Sequence, residues 1–452
     1  MPIDPQAYRP ATALLALGDG FYDPVQAADF PATRLRFRNQ RAADEVGLAS
    51  LTDDEWIRHF VRFVPLPATL PTPLALRYHG HQFRAYNPDI GDGRGFTFAQ
   101  MHDRRGRLLD LGTKGSGQTP WSRSGDGRLT LKGGMREILA TEMLEALGVR
   151  TSRTLSLIET GEALARGDEP SPTRSAVLVR LSHSHVRIGT FQRLAYERDE
   201  AGMRALVGYV LRNLYDEDSD DPVRLLALVV DRAATLAASY MAAGFVHGVL
   251  NSDNINVTGE SFDYGPWRFA PTWDPAFTAA YFDHQGLYAF GRQPEAIHWD
   301  VMQLAVALRL IVDSEPLIAA LDEFAPRYGP AVTKAILWRL GVTPREPDAD
   351  RALVQAIERA FRATDIALDR FFFDAFGGVL PADYGAPWDE VRAAFTGYVA
   401  RKDRDHPYWS GAPCAMLIDE VEAIWDRIAA ADDWSALDAK VAQIRAMGDA
   451  LA

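Results

Sequence analysis

Asn254 and Asp263 stand nine residues apart in "HGVLNSDNINVTGESFDYG", residues 247–265. An amide oxygen and a carboxylate are hard ligands of the kind that hold Mg²⁺, or Mn²⁺, on a nucleotide triphosphate. Moving any part of a triphosphate also needs cations on the phosphates and an oriented acceptor. The chain offers cations upstream. Lys114 ends the strand-type run "LLDLGTK", and the turn "GDGRG" (91–95) precedes it. Glycines there let backbone N–H groups approach phosphate closely. Arg180 and Arg187 flank "LSHSHV", and the planar guanidinium fork suits phosphate oxygens. In one unbroken strand an odd separation of seven would put these two arginines on opposite faces, so they meet one ligand only if "SHSH" turns the chain. Glu137, read as lying on the polar side of a helix over 131–147, can pair with Lys114 and hold its ammonium group.

These parts come in the order of a protein kinase: a glycine turn, a strand lysine, a helix glutamate, then H-R-D-x-x-x-x-N and D-F-G. His247 and Asn254 keep the kinase spacing, and Asp263-Tyr264-Gly265 follows with "INV" expected as a connecting strand. Where the kinase aspartate would be, the chain has Val249. The histidines of "YHGHQF" and "SHSH" have no cysteine partner and irregular spacing, and are read as hydrogen bonders rather than zinc ligands.

The elements that must position these residues change character along the chain. Residues 77–132 carry strand and hairpin patterns such as "FTFAQMHD". Met135, Ile138, Leu139, Met143, Leu144 and Leu147 then make a helical stripe that stops at Gly148. Strand character returns at 150–160 and 175–181. Helices are expected at 223–243, 299–313, 350–375, 387–402, 415–431 and 434–451. The expected fold is α+β, protein-kinase-like and two-lobed, with a strand-rich N-lobe carrying one αC-like helix and a larger helical C-lobe. The expected parts are an N-terminal extension (1–75) packed on the core, an N-lobe with the nucleotide-binding turns (76–200), a C-lobe with the catalytic and metal loop (201–320), and a C-terminal helical region (321–452).

Bulk properties narrow the class. The 452 residues are 47 % hydrophobic and 24 % charged, as in globular proteins. A formal charge of −13 argues against a nucleic-acid-binding surface while leaving room for a local basic pocket. One cysteine, Cys414, allows no intrachain disulfide. "MPIDPQAYRP" has no basic segment followed by an apolar one, and the longest apolar stretches carry Arg and Asp, so a cytoplasmic protein without a membrane partner is expected.

Taken together, "YHGHQF", "GDGRG", "LGTKGSGQTPWSRSGDGR", "MREILATEML", "SHSHVRIGTF", "HGVLNSDN", "FDYGP" and "QPEAIHWD" resemble the blocks of the selenoprotein O family, in the family's order, over roughly residues 75–310. The resemblance implies an atypical kinase fold in which ATP sits inverted and AMP passes to Ser, Thr or Tyr hydroxyls of proteins, the enzyme itself among the candidate acceptors, with release of pyrophosphate. It implies that Gly91, Gly93, Arg94, Lys114, Asp126 and Gly127 contact the nucleotide and that Arg180 and Arg187 hold its γ-phosphate end. It further implies that Asn254 and Asp263 hold Mg²⁺ or Mn²⁺ and that Asp253 accepts the proton. Two departures stand out. Cys414 lies 38 residues before the end without a partner, so a redox-controlled intramolecular disulfide is not expected. "FRAYNPDIGDGRG" also replaces a more usual small-residue run, which bears on the nucleotide roof. The competing readings are a kinase moving the γ-phosphate and a nucleotide-binding scaffold without turnover. Asp263→Ala is expected to abolish transfer while leaving the fold largely intact.

Overall fold

Short extended runs separated by tight turns build one antiparallel sheet in the first part of the chain. The computed structural model describes residues 3–167 and 169–452. Its strands are β1 (Arg9–Ala11), β2 (Tyr22–Pro24), β3 (Arg34–Arg38), β4 (Leu74–Leu76), a separate hairpin of β5 (Gly80–Gln82) and β6 (Ala85–Asn87), then β7 (Thr97–His102), β8 (Leu108–Lys114), β9 (Leu129–Thr130), β10 (Arg153–Leu164) and β11 (Thr173–Ser182). The large sheet runs β2-β4-β7-β8-β11-β10-β3, with β1 against β7 and β9 against β11. Residues 1–75 therefore supply strands to the sheet besides packing on it. Strands of three to five residues carry too little alternation to announce themselves in a sequence.

The sheet is covered on both faces, which is why β7, β8 and β11 are buried almost throughout. Helices α1 (Gln40–Glu45) and α2 (Asp53–Phe60) cover one face, where Trp56 and Phe60 join Phe98, Leu111, Val177 and Val179 in a single cluster. Helix α3 (Leu131–Ala146) covers the other, with Met135 and Ile138 in the cluster that holds Leu157, Ala176 and Leu178. Thr130 caps α3 by accepting a hydrogen bond from the Gly133 N–H at 3.1 Å. A side chain at Gly134 would run into Leu157, so the glycine lets the helix lie close on β10.

The second part of the chain is helical: α4 (Ile188–Glu197), α5 (Glu200–Leu214), α6 (Pro222–Ala243), α7 (Gln293–Leu308), α8 (Ser314–Asp322), α9 (Phe324–Arg339), α10 (Pro347–Arg362), α11 (Leu368–Asp374), α12 (Asp389–Phe395), α13 (Ile418–Ala431) and α14 (Ser435–Leu451). Between α6 and α7 lie the 247–265 segment and the short pair β12 (Phe245–Val246) and β13 (Arg268–Phe269). The strand-rich N-lobe with one long helix, followed by a helical C-lobe, is a two-lobed kinase-like architecture. Helix α6 is long and apolar enough to cross a membrane, but 67 % of its apolar window is buried inside the protein, as suits a core helix. Asp221 caps its start and Gly244, at φ 69°, ends it. Helix α7 begins at Gln293, six residues before the expected Trp299, because Pro294 fits a first helical turn. The last helices return to the N-lobe. Arg445 of α14 pairs with Glu142 of α3 at 2.6 Å, and Glu422 of α13 pairs with Lys132 at 2.6 Å. Cys414 is buried, and burial pushes its thiol up to about 11, far from a reactive thiolate.

Candidate active site

Sheet parity selects which side chains reach the cleft. On β11, Val177 and Val179 face the α2 side, so Ala176, Leu178 and Arg180 face α3. On β8, Leu109 and Leu111 face α2, which turns Lys114 the other way. The register pairs Leu178 with Lys114 and Arg180 with Gly112, so both cations emerge on one face two rungs apart. Gly112 has no side chain because the His185 ring occupies that place.

Arg187 reaches the same point because the chain turns after β11. Ser184 has φ 74°, and Arg187 is the residue before α4. Asn256 secures this turn, its side-chain N–H donating to the Ser184 carbonyl at 2.7 Å. The "INV" segment is not a strand; Asn256 makes an isolated bridge to Arg187 instead.

The three cations converge on Asp263. Lys114 lies 3.1 Å from its Oδ1 and Arg180 2.7 Å from the same oxygen, while Arg187 lies 3.2 Å from Oδ2. Asp263 has φ 62°, a left-handed conformation that a non-glycine residue adopts at some cost. Burial alone would raise its carboxyl, but the Arg180, Lys114 and Arg187 charges hold it well below the usual range. Glu137 pairs with Lys114 from behind. It is 2 % exposed rather than on a solvated helix face, because Gly134, one turn earlier, brings α3 down onto the sheet.

The loop that carries His247 and Asn254 is held from both lobes. Gln293 accepts the His247 backbone N–H at 3.0 Å, and the His247 ring Nε2 lies 2.9 Å from the Phe262 carbonyl, tying the loop to the residue before Asp263. From the N-lobe, the Phe83 N–H donates to Asn251 at 3.0 Å and the His81 N–H to Ser252 at 2.7 Å. The Asn254 side-chain N–H donates to the Val249 carbonyl at 3.0 Å, which leaves its amide oxygen as the available ligand atom. Asp253 is nearly buried, its Oδ1 has no hydrogen-bond partner, and burial raises its carboxyl to about 6. Gly80 packs against it, a Cβ there falling 2.8 Å from the Asp253 side chain.

A cavity of 820 Å³ opens between these lobes. Gly91, Gly93, Arg94, Lys114, Asp126, Gly127, Arg180, Arg187, Asp253, Asn254 and Asp263 all line it, as does Val249. Among the described residues its lining has seven Lys or Arg side chains against four Asp, a positive pocket in a chain of charge −13. Two placements qualify the sequence reading. Asp126 is bound at the rim by Arg166, at 2.7 and 3.0 Å. Gly91 and Gly93 are also demanded by packing, since a Cβ would lie 2.5 Å from the Trp121 ring and 2.9 Å from the Trp121 carbonyl.

Sequence reasoning did not single out Asp92, Trp121 or Tyr78. Asp92 lies 3.5 Å from Arg187 and accepts the Leu76 N–H at 3.0 Å, and Tyr78 stacks under the Arg187 guanidinium at 4.2 Å. Only Asp92 left a signal, as the acidic residue inside the glycine turn.

A family described as protein adenylyltransferase SelO matches residues 6–377. A protein from Synechococcus elongatus named protein nucleotidyltransferase YdiU is 42 % identical across an alignment covering 98 % of this chain and 96 % of the relative. Its namesake from Synechocystis is 49 % identical, covering 74 % of this chain and 71 % of the relative. Among solved structures, ROP2 from Toxoplasma gondii, described as a virulence factor with a protein-kinase fold and no enzymatic activity, aligns at 13 % identity with a TM-score of 0.27, over 57 % of this chain and 75 % of that one.

Proposed function

Because the chain belongs to the protein adenylyltransferase SelO family, and is thus an enzyme of nucleotidyl transfer, we propose that it transfers AMP from ATP to Ser, Thr or Tyr hydroxyls of proteins, itself included. ATP lies inverted relative to a kinase, so the α-phosphorus faces the acceptor. The hydroxyl oxygen bonds to the α-phosphorus, the bond to the bridging oxygen breaks, and pyrophosphate leaves with that electron pair.

The observation that carries this reading is the exchange of acid groups in one wall of the cavity. Val249 occupies the kinase-base position, and Asp253, four residues on, lines the same cavity, its Oδ1 buried against Gly80 without a hydrogen-bond partner. Asp253 would take the hydroxyl proton. Lys114, Arg180 and Arg187 would leave Asp263 to grip phosphate oxygens, with Arg180 and Arg187 at the γ end and Glu137 keeping Lys114 in line. Asp126, Arg94 and the 91–95 and 125–128 turns would surround the rest of the nucleotide.

The donor set suits Mg²⁺ or Mn²⁺. The Asn254 amide oxygen and the Asp263 carboxylate are hard ligands, and no group of three His, Cys, Asp or Glu forms a closed metal cage among the described residues. A cation held by two side chains takes its remaining ligands from phosphate and water. Bound there, it would neutralise charge on the phosphates. A cytoplasmic setting, where ATP is abundant, belongs to the same reading.

Paired labelling tests it. With purified protein and Mg²⁺, label should pass to protein from ATP labelled at the α-phosphate and not at the γ-phosphate. Transfer from the γ position would instead make the enzyme a kinase with a relocated base.

A further inference from the structure

A second cavity, of 780 Å³, lies behind the catalytic turn and shares no lining residue with the first. Its walls are the β7–β8 turn, the α3–β10 loop, the end of α5, Arg232 of α6, and the Thr258 and Glu260 positions that lie between Asn254 and Asp263. Six arginines line it against three carboxylates. Arg107 is neutralised by Asp103, and Arg153 by Glu45 and Glu145. Arg105, Arg150, Arg212 and Arg232 differ: among the described residues none of these side chains has a hydrogen bond or an ion pair, and Arg150 and Arg232 lie near enough for their charges to repel. The neighbouring carboxylate does little for them. Glu260 is buried, accepts the His183 N–H at 2.8 Å, and is raised by burial to about 7.

Like charges gathered in one concavity repel. Partial burial together with the nearby Arg232 and Arg107 charges presses the Arg150 guanidinium below its ordinary value. In a chain with 61 acidic and 48 basic residues, two adjacent arginines without a carboxylate are not a statistical leftover of a basic surface. Their backbones are also fixed. Arg232 sits in the core helix with Gly259 against it, where a Cβ would fall 2.6 Å from the Arg232 Cβ, and the Tyr215 hydroxyl donates to the Val257 carbonyl at 2.6 Å. Guanidinium groups on rigid elements are suited to phosphate oxygens. The volume, close to that of the first cavity, admits a small molecule.

We propose that this back cavity is a second anion site, taking a small oligophosphate, inorganic or nucleotide-linked, on Arg150 and Arg232. Isothermal titration of the full chain tests it. The first cavity is saturated with a non-hydrolysable ATP analogue and Mg²⁺, and inorganic triphosphate is then added. One further binding event is expected. It should weaken about tenfold or more in Arg150→Ala/Arg232→Ala, with binding of the first analogue molecule unchanged as proof of fold. The exposed Arg150→Glu alone should give the same direction of loss. Running the second titration with further analogue separates the sources. An event seen with the analogue assigns a nucleotide, and one seen only with triphosphate assigns an inorganic anion. No further event, or one that the double variant and Arg150→Glu both retain at wild-type strength, overturns the proposal.

Discussion

The two cavities hold similar numbers of arginines but balance them in opposite ways. In the front cavity Lys114, Arg180 and Arg187 share the Asp263 carboxylate, and Glu137 and Asp92 take up the remainder. In the back cavity Arg150 and Arg232 face a buried glutamate that is only partly ionised near neutrality. The front cluster is thus a preorganised set whose cations are held in place by shared carboxylates. The back cluster is positioned by helix and loop backbones and leaves its charge open. Ion pairs place side chains at the front; packing places them at the back.

The strongest way to break the front arrangement is Asp263→Ala. Transfer should fall below detection, a loss of more than about a thousandfold for a group serving the cation and the cluster together. The geometry adds a stability cost to the sequence expectation that the fold would stay largely intact. Removing the shared carboxylate leaves three buried cations facing one another, which should cost about 3–5 kcal/mol. A denaturant melt of the variant against the parent measures this, and an unchanged midpoint would mean that the cluster does not depend on Asp263.

The back cavity makes a contrasting prediction about pH. Burial raises the Glu260 carboxyl from its ordinary 4.5 to about 7, so the folded state binds its proton more tightly than the unfolded chain does. The stabilisation is complete below about 4.5 and is lost as pH rises through about 7, amounting to about 3 kcal/mol. Glu260→Gln should flatten the stability profile over that window. A profile that keeps its slope in the variant would assign it to another group.

Glu137→Gln sharpens the front half of the comparison. It keeps the shape of α3 but removes the charge that holds Lys114, so activity should drop about a hundredfold through misplacement of the ammonium group, with the melting temperature moving far less. Arg180→Ala is the smallest of the set. It leaves Lys114 and Arg187 on Asp263, and ATP affinity should weaken about tenfold, as expected for one charge-assisted contact. Unchanged nucleotide affinity in that variant would remove Arg180 from the phosphate grip.

Much of the front site was legible in the sequence because its parts are local. The end of β8 at Lys114, the stop of α3 at Gly148 and the stop of α6 at Gly244 follow from alternation, helical period and left-handed glycines, each contained within a few residues. The early strands β1 to β3 were missed because three to five residues at a sheet edge carry little pattern. Helix α4 was missed because its start at Ile188 is set by the Arg187 turn. The pairing of Glu137 with Lys114 was legible from the polar side of α3, whereas its burial was not, since only the approach allowed by Gly134 brings that side onto the sheet.

The sequence by itself determined the inventory: the residue types, the order in which they come, the replacement of an aspartate by Val249, and the family they mark. The tertiary structure decided convergence. Strand register put Lys114 and Arg180 on one face, a left-handed Ser184 swung Arg187 round to them, and a positive φ at Asp263 aimed its carboxylate at all three. It also decided what stands apart, since Arg150 and Arg232 are 82 positions distant in the chain and become neighbours only when the α3–β10 loop packs beside α6. The physical reason is common to both. Local preferences are written within a few residues, whereas the field at a buried charge is the sum over whatever the fold brings near it.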